Sequence, residues 1–507
     1  MKKFKLLLLL LFCLDHHYTF SQVELQWQNN FGGTGDEELV EMYPTNDGGF
    51  ILFGYSSSND NDVSGNHGLR DFWIVKLDEN RAIQWQKSYG GTQDDYCLEG
   101  KVTFDGGYVV IGSTYSPDGD VVGHQGFEDL WIINLDQAGE VIWKKTIGTT
   151  KNDLGYDVLP LQEGGFILVG VFNDSSLTDN DVAVWKLNES GDILWTKSIG
   201  GSMLDELYNI ERATDGGFIL CGRTQSNDGD ISGNHGLDDA WIVKLDQDGE
   251  IEWQKVMGGS NSDFAQKALA LDDGGYLISG YSASEDGDVT VSKGKLDYWM
   301  IRLDAAGNLI WQKSFGGSNL DVALCNPIVF NDGFLVGGWS RSTDGDVGGL
   351  HGIFGDMWVV KLDTLGNLEW EKNIGGTGFD DGRVLVPVDG NAFIIAGTST
   401  SSDGDILANY GGQDYFMCRV DVVTDVKDVY QQDNIRIFPI PASEKINVQT
   451  TDNGDIIQIT LLDIQGNVLI HANFDGELDI SGVSSGTYLV KIELGSGKNY
   501  FKKVIKQ

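Results

Sequence analysis

Short runs in which apolar and polar residues alternate cover most of the chain, and they predict β-strands. In AWIVKLD, residues 240–246, Trp241 and Val243 fall on one face by the two-residue period of a strand. Asp248-Gly249 comes next and is typical of a tight turn, because glycine readily adopts the positive φ that such turns require. IEWQKVM, residues 251–257, then alternates again. The pattern therefore predicts an antiparallel hairpin.

This hairpin is half of a unit that recurs along the chain. Two further alternating runs precede it, LYNIERA and FILCGRT, joined by Asp215-Gly216-Gly217. No run has a helical period, and four short antiparallel strands per repeat are typical of a β-propeller blade. A tryptophan marks the last strand of each unit, at spacings of 52 to 59 residues. These tryptophans are Trp27, Trp85, Trp143, Trp195, Trp253, Trp311 and Trp370.

The order of the strands predicts how the repeats close. Seven sets of first to third strands follow one another, and the seventh ends at Asp421 with no tryptophan-bearing strand after it. The first tryptophan-bearing strand, residues 23–31, instead precedes every set. Pairing residues 23–31 with residues 415–421 would complete the last blade and remove an open sheet edge. We therefore predict an all-β fold, a seven-bladed β-propeller over residues 22–421 that is closed by its N-terminal strand.

The N-terminus has the pattern of a secretory signal peptide. Lys2, Lys3 and Lys5 precede the apolar run LLLLLLFCL, which is too short to span a bilayer. We predict a signal peptide over residues 1–21, with cleavage near Ser21. Since no later stretch is apolar enough for a membrane helix, we expect export through the periplasm without a transmembrane span.

Composition restricts the partners of the protein. The formal net charge is −41 and the pI is near 4.2. Nucleic-acid phosphates are bound by Lys and Arg, so we expect no nucleic-acid binding. An acidic surface suits an extracellular protein or one that collects cations. The four cysteines outside the signal peptide stand at unmatched positions of different repeats, and we expect no structural disulfide.

The composition changes after the repeats. Residues 422–434 are polar and lack the repeat, which predicts a linker, whereas residues 435–507 alternate again and predict a small β-sandwich. The motifs of this tail are Phe438-Pro439, Pro441-Ala442, Leu462-Asp463, Gly466-Asn467, Asp479-Ile480-Ser481, Gly486-Thr487-Tyr488 and Lys502-Lys503. With these motifs the tail resembles the type A C-terminal sorting domain of the type IX secretion system of Bacteroidota.

The resemblance implies a route and a destination. Sorting domains of this kind direct a protein across the outer membrane through the type IX machinery. The tail is then removed, and the protein is released or attached to the surface. The implied partner is that machinery, and the implied location is outside the cell or on its outer surface.

A second resemblance concerns the repeats. Residues 245–249, LDQDG, followed by Trp253, are similar to the tryptophan motif of quinoprotein-type propellers. Nothing in the chain matches a quinone-binding site. The resemblance therefore implies the fold only.

Acidic residues recur in the loop between the second and third strands. Two close carboxylates with backbone carbonyls on a glycine-rich loop are the oxygen ligands that Ca²⁺ prefers. The alternative is structural, with the aspartates accepting N–H bonds of the turn. Calcium is the one cofactor that the pattern suggests, and the candidate ligands are Asp60, Asp62, Asp118, Asp120, Asp228, Asp230, Asp286, Asp288, Asp344, Asp346, Asp403 and Asp405. A further aspartate follows each of these pairs after nine or ten residues, at Asp71, Asp129, Asp239, Asp297, Asp356 and Asp414.

A second set of carboxylates starts the innermost strands. The motif GG[ST]xx[DE] or a close variant, at the crossing between repeats, places one carboxylate at each of these positions. Together they could ring the mouth of the central channel and face a ligand. The alternative is that each one caps amides of a crossing loop. The seven candidates are Glu37, Asp95, Asp153, Asp205, Asp263, Asp321 and Asp380.

The leading functional hypothesis is a secreted, non-enzymatic propeller that binds an extracellular protein or glycan or serves as a scaffold. The near-identity of the repeats favours it, because an active site normally needs one or two blades that differ. The alternative is an extracellular polysaccharide hydrolase or lyase that uses channel-mouth carboxylates as acid and base. A third hypothesis is an adhesin or surface-layer component that self-associates with Ca²⁺.

Overall fold

The computed structural model describes residues 22–172, 181–388, 391–423, 435–438, 442, 444–450, 456–462, 468–473, 477–494 and 499–506. All regular structure in these ranges is β-strand, which confirms the predicted all-β class. They separate into two compact units, one spanning Leu25–Asp421 and the other containing the described residues before Leu25 and from Val422 onward. The predicted signal peptide, most of the predicted linker, and Pro439, Pro441 and Gly466 of the sorting motif lie outside the described residues.

The described strands up to residue 423 form seven antiparallel sheets. The first sheet contains β2 (Glu37–Pro44), β3 (Phe50–Ser56), β4 (Asp71–Leu77) and β5 (Ile83–Tyr89). The second contains β6 (Asp95–Val102), β7 (Tyr108–Thr114), β8 (Asp129–Leu135) and β9 (Val141–Ile147). The third contains β10 (Leu154–Pro160), β11 (Phe166–Phe172), β12 (Asp181–Leu187) and β13 (Ile193–Ile199). The fourth contains β14 (Asp205–Arg212), β15 (Phe218–Thr224), β16 (Asp239–Leu245) and β17 (Ile251–Met257).

The last three sheets continue the series with two variations. The fifth contains β18 (Asp263–Ala270), β19 (Tyr276–Ser282), β20 (Asp297–Leu303) and β21 (Leu309–Phe315). In the sixth, the first strand is divided into β22 (Asp321–Ala323) and β23 (Ile328–Phe330), which both pair with β24 (Gly333–Ser340), followed by β25 (Asp356–Asp363) and β26 (Leu368–Ile374). The seventh contains β27 (Asp380–Val388), β28 (Ala392–Ser399) and β29 (Asp414–Val423), and β29 pairs with β1 (Gln22–Phe31).

Tight turns join the strands of each sheet, as the Asp-Gly pattern predicts. At the turn between β16 and β17, Gly249 has a φ of 81°, a conformation that residues with a side chain rarely adopt. The Asp246 carboxylate accepts the backbone N–H groups of Asp248 and Glu250, both at 2.9 Å. Local hydrogen bonds therefore set the turn before any packing between sheets.

The hydrophobic cores lie between neighbouring sheets. One core joins the seventh and first sheets and contains Phe31, Leu39 and Tyr415. Another joins the first and second sheets through residues such as Phe53 and Trp131. Each of the first five sheets thus buries one face against the sheet before it and the other face against the sheet after it.

The tryptophans of the fourth strands pack across these junctions. A Cβ atom on Gly139, in a turn of the second sheet, would stand 2.9 Å from the Trp85 ring of the first sheet. Glycine recurs opposite the tryptophan at the next four junctions, at Gly191, Gly249, Gly307 and Gly366. The first sheet has Arg81 at this position, with a φ of 66°, and its guanidinium lies 4.2 Å from the centre of the Trp27 ring.

The C-terminal unit is built from two smaller sheets. One contains β30 (Ile435–Phe438), β31 (Lys445–Thr450) and β34 (Glu477–Asp479). The other contains β32 (Ile456–Leu462), β33 (Val468–Asn473), β35 (Gly486–Leu494) and β36 (Asn499–Lys506). Buried residues of both sheets, such as Ile446 and Val490, share one core. Gly486 and Tyr488 of the sorting motif begin β35, and Lys502 and Lys503 belong to β36.

Replacing Trp253 by alanine tests the junction packing. The Trp253 ring meets the turn at Gly307 and lies 5.9 Å from the Tyr276 ring, centre to centre. We expect Trp253→Ala to lower the free energy of unfolding by about 3 kcal/mol in denaturant titrations. The exposed Phe104→Ala variant serves as control, with a change within about 0.5 kcal/mol. Equal effects of the two substitutions would contradict the packing role.

Candidate functional site

The irregular segments of the repeat meet at one end of the sheets. The loop between the second and third strands and the crossing between sheets lie at this end, because successive strands are antiparallel. They are in contact: the Thr34 backbone N–H in a crossing donates to the Asp60 carboxylate of a loop at 2.8 Å. We call this end the crossing face.

The first aspartate of each predicted calcium pair binds the backbone of a crossing. In every case a residue 26 positions earlier donates its N–H to the carboxylate at 2.7–2.9 Å. A threonine hydroxyl adds a second bond in three of the loops. These carboxylates therefore tie loop to crossing. They belong to Asp60, Asp118, Asp228, Asp286, Asp344 and Asp403.

The second aspartate of each pair has longer or different contacts. The N–H of a crossing glycine lies 3.2–3.3 Å from the carboxylates of Asp62, Asp230, Asp288 and Asp346. Asp120 binds Lys144 Nζ at 2.8 Å, and Asp405 Oδ2 lies 3.7 Å from His351 Nε2. Among the residues that the structure describes, no three His, Cys, Asp or Glu side chains are placed to hold a metal ion together. Calcium at these pairs stays a prediction.

The carboxylates that start the first strands are fully buried. Each accepts the N–H of the residue four positions earlier, at 2.6–2.8 Å. Hydroxyl groups add further bonds, as Thr114 and Ser116 do for Asp95. These side chains join crossing, strand and loop, and none has exposed surface. They are Glu37, Asp95, Asp153, Asp205, Asp263, Asp321 and Asp380.

A cavity of about 220 Å³ is enclosed by the first strands of the sheets. All seven residues that stand three positions after a strand-start carboxylate line it, so it lies on the axis around which the sheets are arranged. We call it the axial cavity. These seven residues are Val40, Leu98, Tyr156, Tyr208, Gln266, Leu324 and Arg383.

Four tyrosines form much of the wall of the axial cavity. Tyr55 and Tyr96 meet edge to face with ring centres 5.1 Å apart, and Tyr156 and Tyr208 do so at 5.3 Å. Both hydroxyls of the second pair donate to Glu206 at 2.7 Å. Burial, reinforced by the Glu206 charge, raises the pKa of Tyr156 and Tyr208 above the ordinary value. The rings are therefore neutral walls with fixed orientation.

The charged groups of the wall are paired. Arg383 lies 3.1 Å from Glu38 and 2.7 Å from Asp381. Lys267 Nζ lies 3.0 Å from Glu99 Oε2, and this pair crosses the axis because it joins the fifth and second sheets. The axial cavity thus combines aromatic faces with planar and cationic polar groups.

Bulges in the first strands turn further polar side chains toward the axis. A bulge precedes Glu41, Glu99, Asp157, Asn209 and Lys267 in the first five sheets. Asn209 donates to Asp157 at 2.8 Å. Burial, and then the neighbouring Glu99 charge, raise the pKa of Glu41 well above its usual range. Because the residue type at this position varies among the sheets, from glutamate to lysine, the centre lacks the regularity of the outer strands.

Sequence reasoning missed the axial residues. The sequence prediction used the acidic positions that recur in the units, whereas the cavity wall comes from a position whose residue type changes from unit to unit. Aligning the units on the strand-start carboxylate would have shown Tyr156, Tyr208, Gln266 and Arg383 in one column among aliphatic residues. The bulges in the first strands, such as the one before Lys267, cannot be recognised from the alternation of apolar and polar residues.

Two parts of the chain match protein families. Residues 436–507 match the secretion system C-terminal sorting domain, and residues 128–332 match the family described as outer membrane protein assembly factor BamB. Together with the sheets, these matches define an exported protein with a β-propeller. The tail is a sorting domain of the type IX secretion system, which directs the chain to the cell surface. No helix among the described residues is long and apolar enough to cross a membrane.

Individual proteins resemble the chain more distantly. The regulatory protein FlaEY of Caulobacter vibrioides (strain ATCC 19089 / CIP 103742 / CB 15) is 21% identical over 362 residues, which cover 61% of this chain and 36% of that protein. The chain thus spans about a third of that relative's length. Neither its regulation nor its activity follows for this chain.

Two solved structures are weakly similar to the chain. The extracellular domain of the hybrid two component system BT4673 from B. thetaiotaomicron has a TM-score of 0.42 at 10% identity, with 96% of this chain and 60% of that chain covered. The β-propeller domain of the Trilobed protease from Pyrococcus furiosus has a TM-score of 0.38 at 11% identity, with 78% and 98% covered. Neither likeness says what this chain binds.

Removing one member of the cross-axis ion pair tests the axial network. Lys267→Met leaves Glu99 buried without its cation, so we expect the free energy of unfolding to fall by about 3 kcal/mol. Adding Glu99→Gln should restore most of the loss, because the buried charge is then absent. Lys87→Met breaks the more exposed pair with Glu140 and should change stability by less than about 1 kcal/mol. Equal losses in the two lysine variants would contradict the network.

Proposed function

We propose that this protein is a surface-delivered seven-bladed β-propeller that binds glycans in its axial cavity. Each of the seven sheets is then one blade. Pairing of β1 with β29, and the core shared by the seventh and first sheets, support closure by the N-terminal strand. The two C-terminal sheets share one core, which supports a small β-sandwich for residues 435–507. In the proposed division of the chain, a signal peptide covers residues 1–21, the propeller covers 22–421 and a linker covers 422–434.

The observation that carries the proposal is the composition of the cavity wall. Tyrosine rings offer apolar faces on which the C–H faces of a pyranose pack, while their hydroxyls remain polar. The Gln266 amide and the Arg383 guanidinium supply an acceptor and donors for sugar hydroxyls. A concave site that combines apolar walls with a few convergent polar groups is the usual form of a small-ligand site.

A polysaccharide hydrolase or lyase is the second candidate, and the wall favours it less. Glycoside hydrolysis normally uses two carboxyl groups on opposite sides of the bond. Glu38 is the single carboxylate among the described residues that line the axial cavity. Its oxygens already bind the Tyr55 hydroxyl and Arg383. Binding without cleavage therefore fits the wall better.

Binding assays on tyrosine variants test the proposal. A screen of neutral oligosaccharides should identify a ligand, and calorimetry should then show at least about tenfold weaker binding for Tyr156→Ala and for Tyr208→Ala. Phe104 is exposed in the turn between β6 and β7, at the end of the sheets opposite the crossing face. The Phe104→Ala variant should therefore bind the ligand as the wild type does. Full affinity in both tyrosine variants would contradict the axial site. Cleavage of the ligand, lost in Glu38→Gln, would favour the enzyme.

Calcium at the loop aspartates is a separate part of the proposal. Its support is the pair of carboxylates in each loop. Asp405 Oδ2 is buried and accepts no hydrogen bond, with His351 Nε2 at 3.7 Å and Lys372 Nζ at 3.9 Å. If Ca²⁺ binds only the folded protein, it raises the free energy of unfolding, by about 2.7 kcal/mol at a hundredfold excess over Kd. Melts in CaCl₂ and in EGTA measure this, with Asp403→Asn/Asp405→Asn as the variant expected to lose part of the shift. Identical midpoints in CaCl₂ and EGTA would contradict it.

A further inference from the structure

Two buried carboxylates from neighbouring sheets meet at six junctions. One is the aspartate that starts a third strand, and the other is the strand-start carboxylate of the next sheet. We call each such couple a junction pair. The junction pairs are Asp71 with Asp95, Asp129 with Asp153, Asp239 with Asp263, Asp297 with Asp321, Asp356 with Asp380, and Asp414 with Glu37.

A crossing glycine brings the two carboxylates together. At Gly316, a Cβ atom would stand 2.4 Å from Asp297 Oδ1 and 2.5 Å from Asp321 Oδ2. At Gly90 the corresponding distances to Asp71 Oδ1 and Asp95 Oδ2 are 2.4 and 2.6 Å. Both oxygens therefore point to the same small region beside the glycine.

The hydrogen bonds of a junction pair are incomplete on one side. Asp321 accepts bonds at both oxygens, from Ser340 at Oδ1 and from Gly317 and Ser342 at Oδ2. Asp297 Oδ2 accepts the N–H of Lys293 at 2.6 Å. Asp297 Oδ1 is buried and has no donor among the described residues.

The same Oδ1 atom is buried without a donor in all six third-strand aspartates. A carboxylate oxygen left in this state costs free energy, and a second carboxylate beside it raises that cost. A recurrence at six junctions points to a common occupant and not to a local defect.

We propose that each junction pair binds one proton, carried on Oδ1 of the third-strand aspartate and donated as a hydrogen bond toward the next sheet's carboxylate. The proton converts the unpartnered oxygen into a donor and removes one of two like charges. A calcium ion takes six to eight oxygen ligands. At the Asp297 junction both oxygens of Asp321 already accept hydrogen bonds, which leaves Asp297 Oδ1 as the carboxylate oxygen of the pair without a donor among the described residues.

The charged surroundings differ between junctions, which decides where to test. Asp71, Asp239 and Asp356 each accept a bond from a histidine ring, so a second ionisable group adjoins the carboxylate at those junctions. The negative charge of Asp120 also raises the pKa of Asp71, and the charge of Asp62 raises the pKa of Asp414. At Asp297 the charged group that faces the carboxylate is Asp321, since Lys293 contributes its backbone N–H while its side chain binds Asp346. Asp297 is therefore the clean test.

Burial, and then the partner carboxylate, raise the pKa of Asp297, and burial raises the pKa of Asp321. At the Gly90 junction, burial raises the pKa of Asp95 to about 6. Because the folded protein holds protons that the unfolded chain releases, the stability that these groups contribute is fully present below about pH 4 and is lost as pH rises through the folded pKa. Unfolding between about pH 4 and pH 6 should release protons.

Denaturant titrations of the full chain over this pH range test the proposal. The pH slope of the free energy of unfolding gives the number of protons released. Asp297→Asn should lower that number by about one, because an amide supplies the donor permanently while its oxygen still accepts from Lys293. At pH 8 the variant should be at least as stable as the wild type. Asp248→Asn, in an exposed turn, should leave the slope unchanged.

Three results would overturn the proposal: an unchanged slope in Asp297→Asn, a variant less stable than the wild type at pH 8, or a wild-type midpoint that moves with CaCl₂ while that of Asp297→Asn does not. The last would identify a metal ion as the occupant. Infrared spectra of the wild type at about pH 5, where the folded protein still holds these protons, give a readout that needs no variant. They should contain the C=O band of buried protonated carboxyl groups, and absence of that band would also overturn the proposal.

Discussion

Contact at the crossing glycines determines how each sheet follows the one before it. A side chain at Gly90 would overlap Asp71 and Asp95, and one at Gly91 would overlap Ser116 and Asp118. Because these positions lack side chains, the strand-start carboxylate Asp95 and the loop carboxylate Asp118 reach the neighbouring amides of Gly91 and Thr92 in the crossing. The angle between sheets is thus held by hydrogen bonds at the crossing face, while the cores and the tryptophans fill the space that this angle leaves.

The repeat is regular at its periphery and irregular at its axis. In the outer strands a tryptophan packs against a turn glycine of the following sheet. Where Arg81 replaces that glycine, the contact is kept, because the guanidinium lies over the Trp27 ring. On the axis, Tyr156, Gln266 and Arg383 occupy equivalent places. Structural constraints act equally on every sheet, so a position at which the sheets differ is where recognition can act without loss of the fold.

Much of the fold could be predicted from the sequence, because its determinants are local. Turn pairs such as Asp248-Gly249 and the two-residue alternation depend only on residues close together in the chain. They are sufficient to predict the all-β fold class and the hairpins. The axial cavity depends on side chains that meet across the ring, such as Lys267 and Glu99, which stand 168 residues apart. For the strand-start carboxylates the sequence left two roles open, facing a ligand at the channel mouth or capping amides of a crossing loop. Donors that are distant in the chain, such as Ser116 for Asp95, are seen only in the folded structure.

The pairing of β1 with β29 also sets an order of events. Of the described strands, β1 is the first to leave the ribosome, and β29 is the last strand of the propeller to follow. Contacts between such distant segments form slowly, because a long loop must close first. Until then β29 presents an unpaired edge of the kind that recruits other chains. Pairing of β1, the described strand that is synthesised first, with β29, the last strand of the propeller, is therefore the step after which the chain no longer presents this aggregation-prone edge and is ready for export.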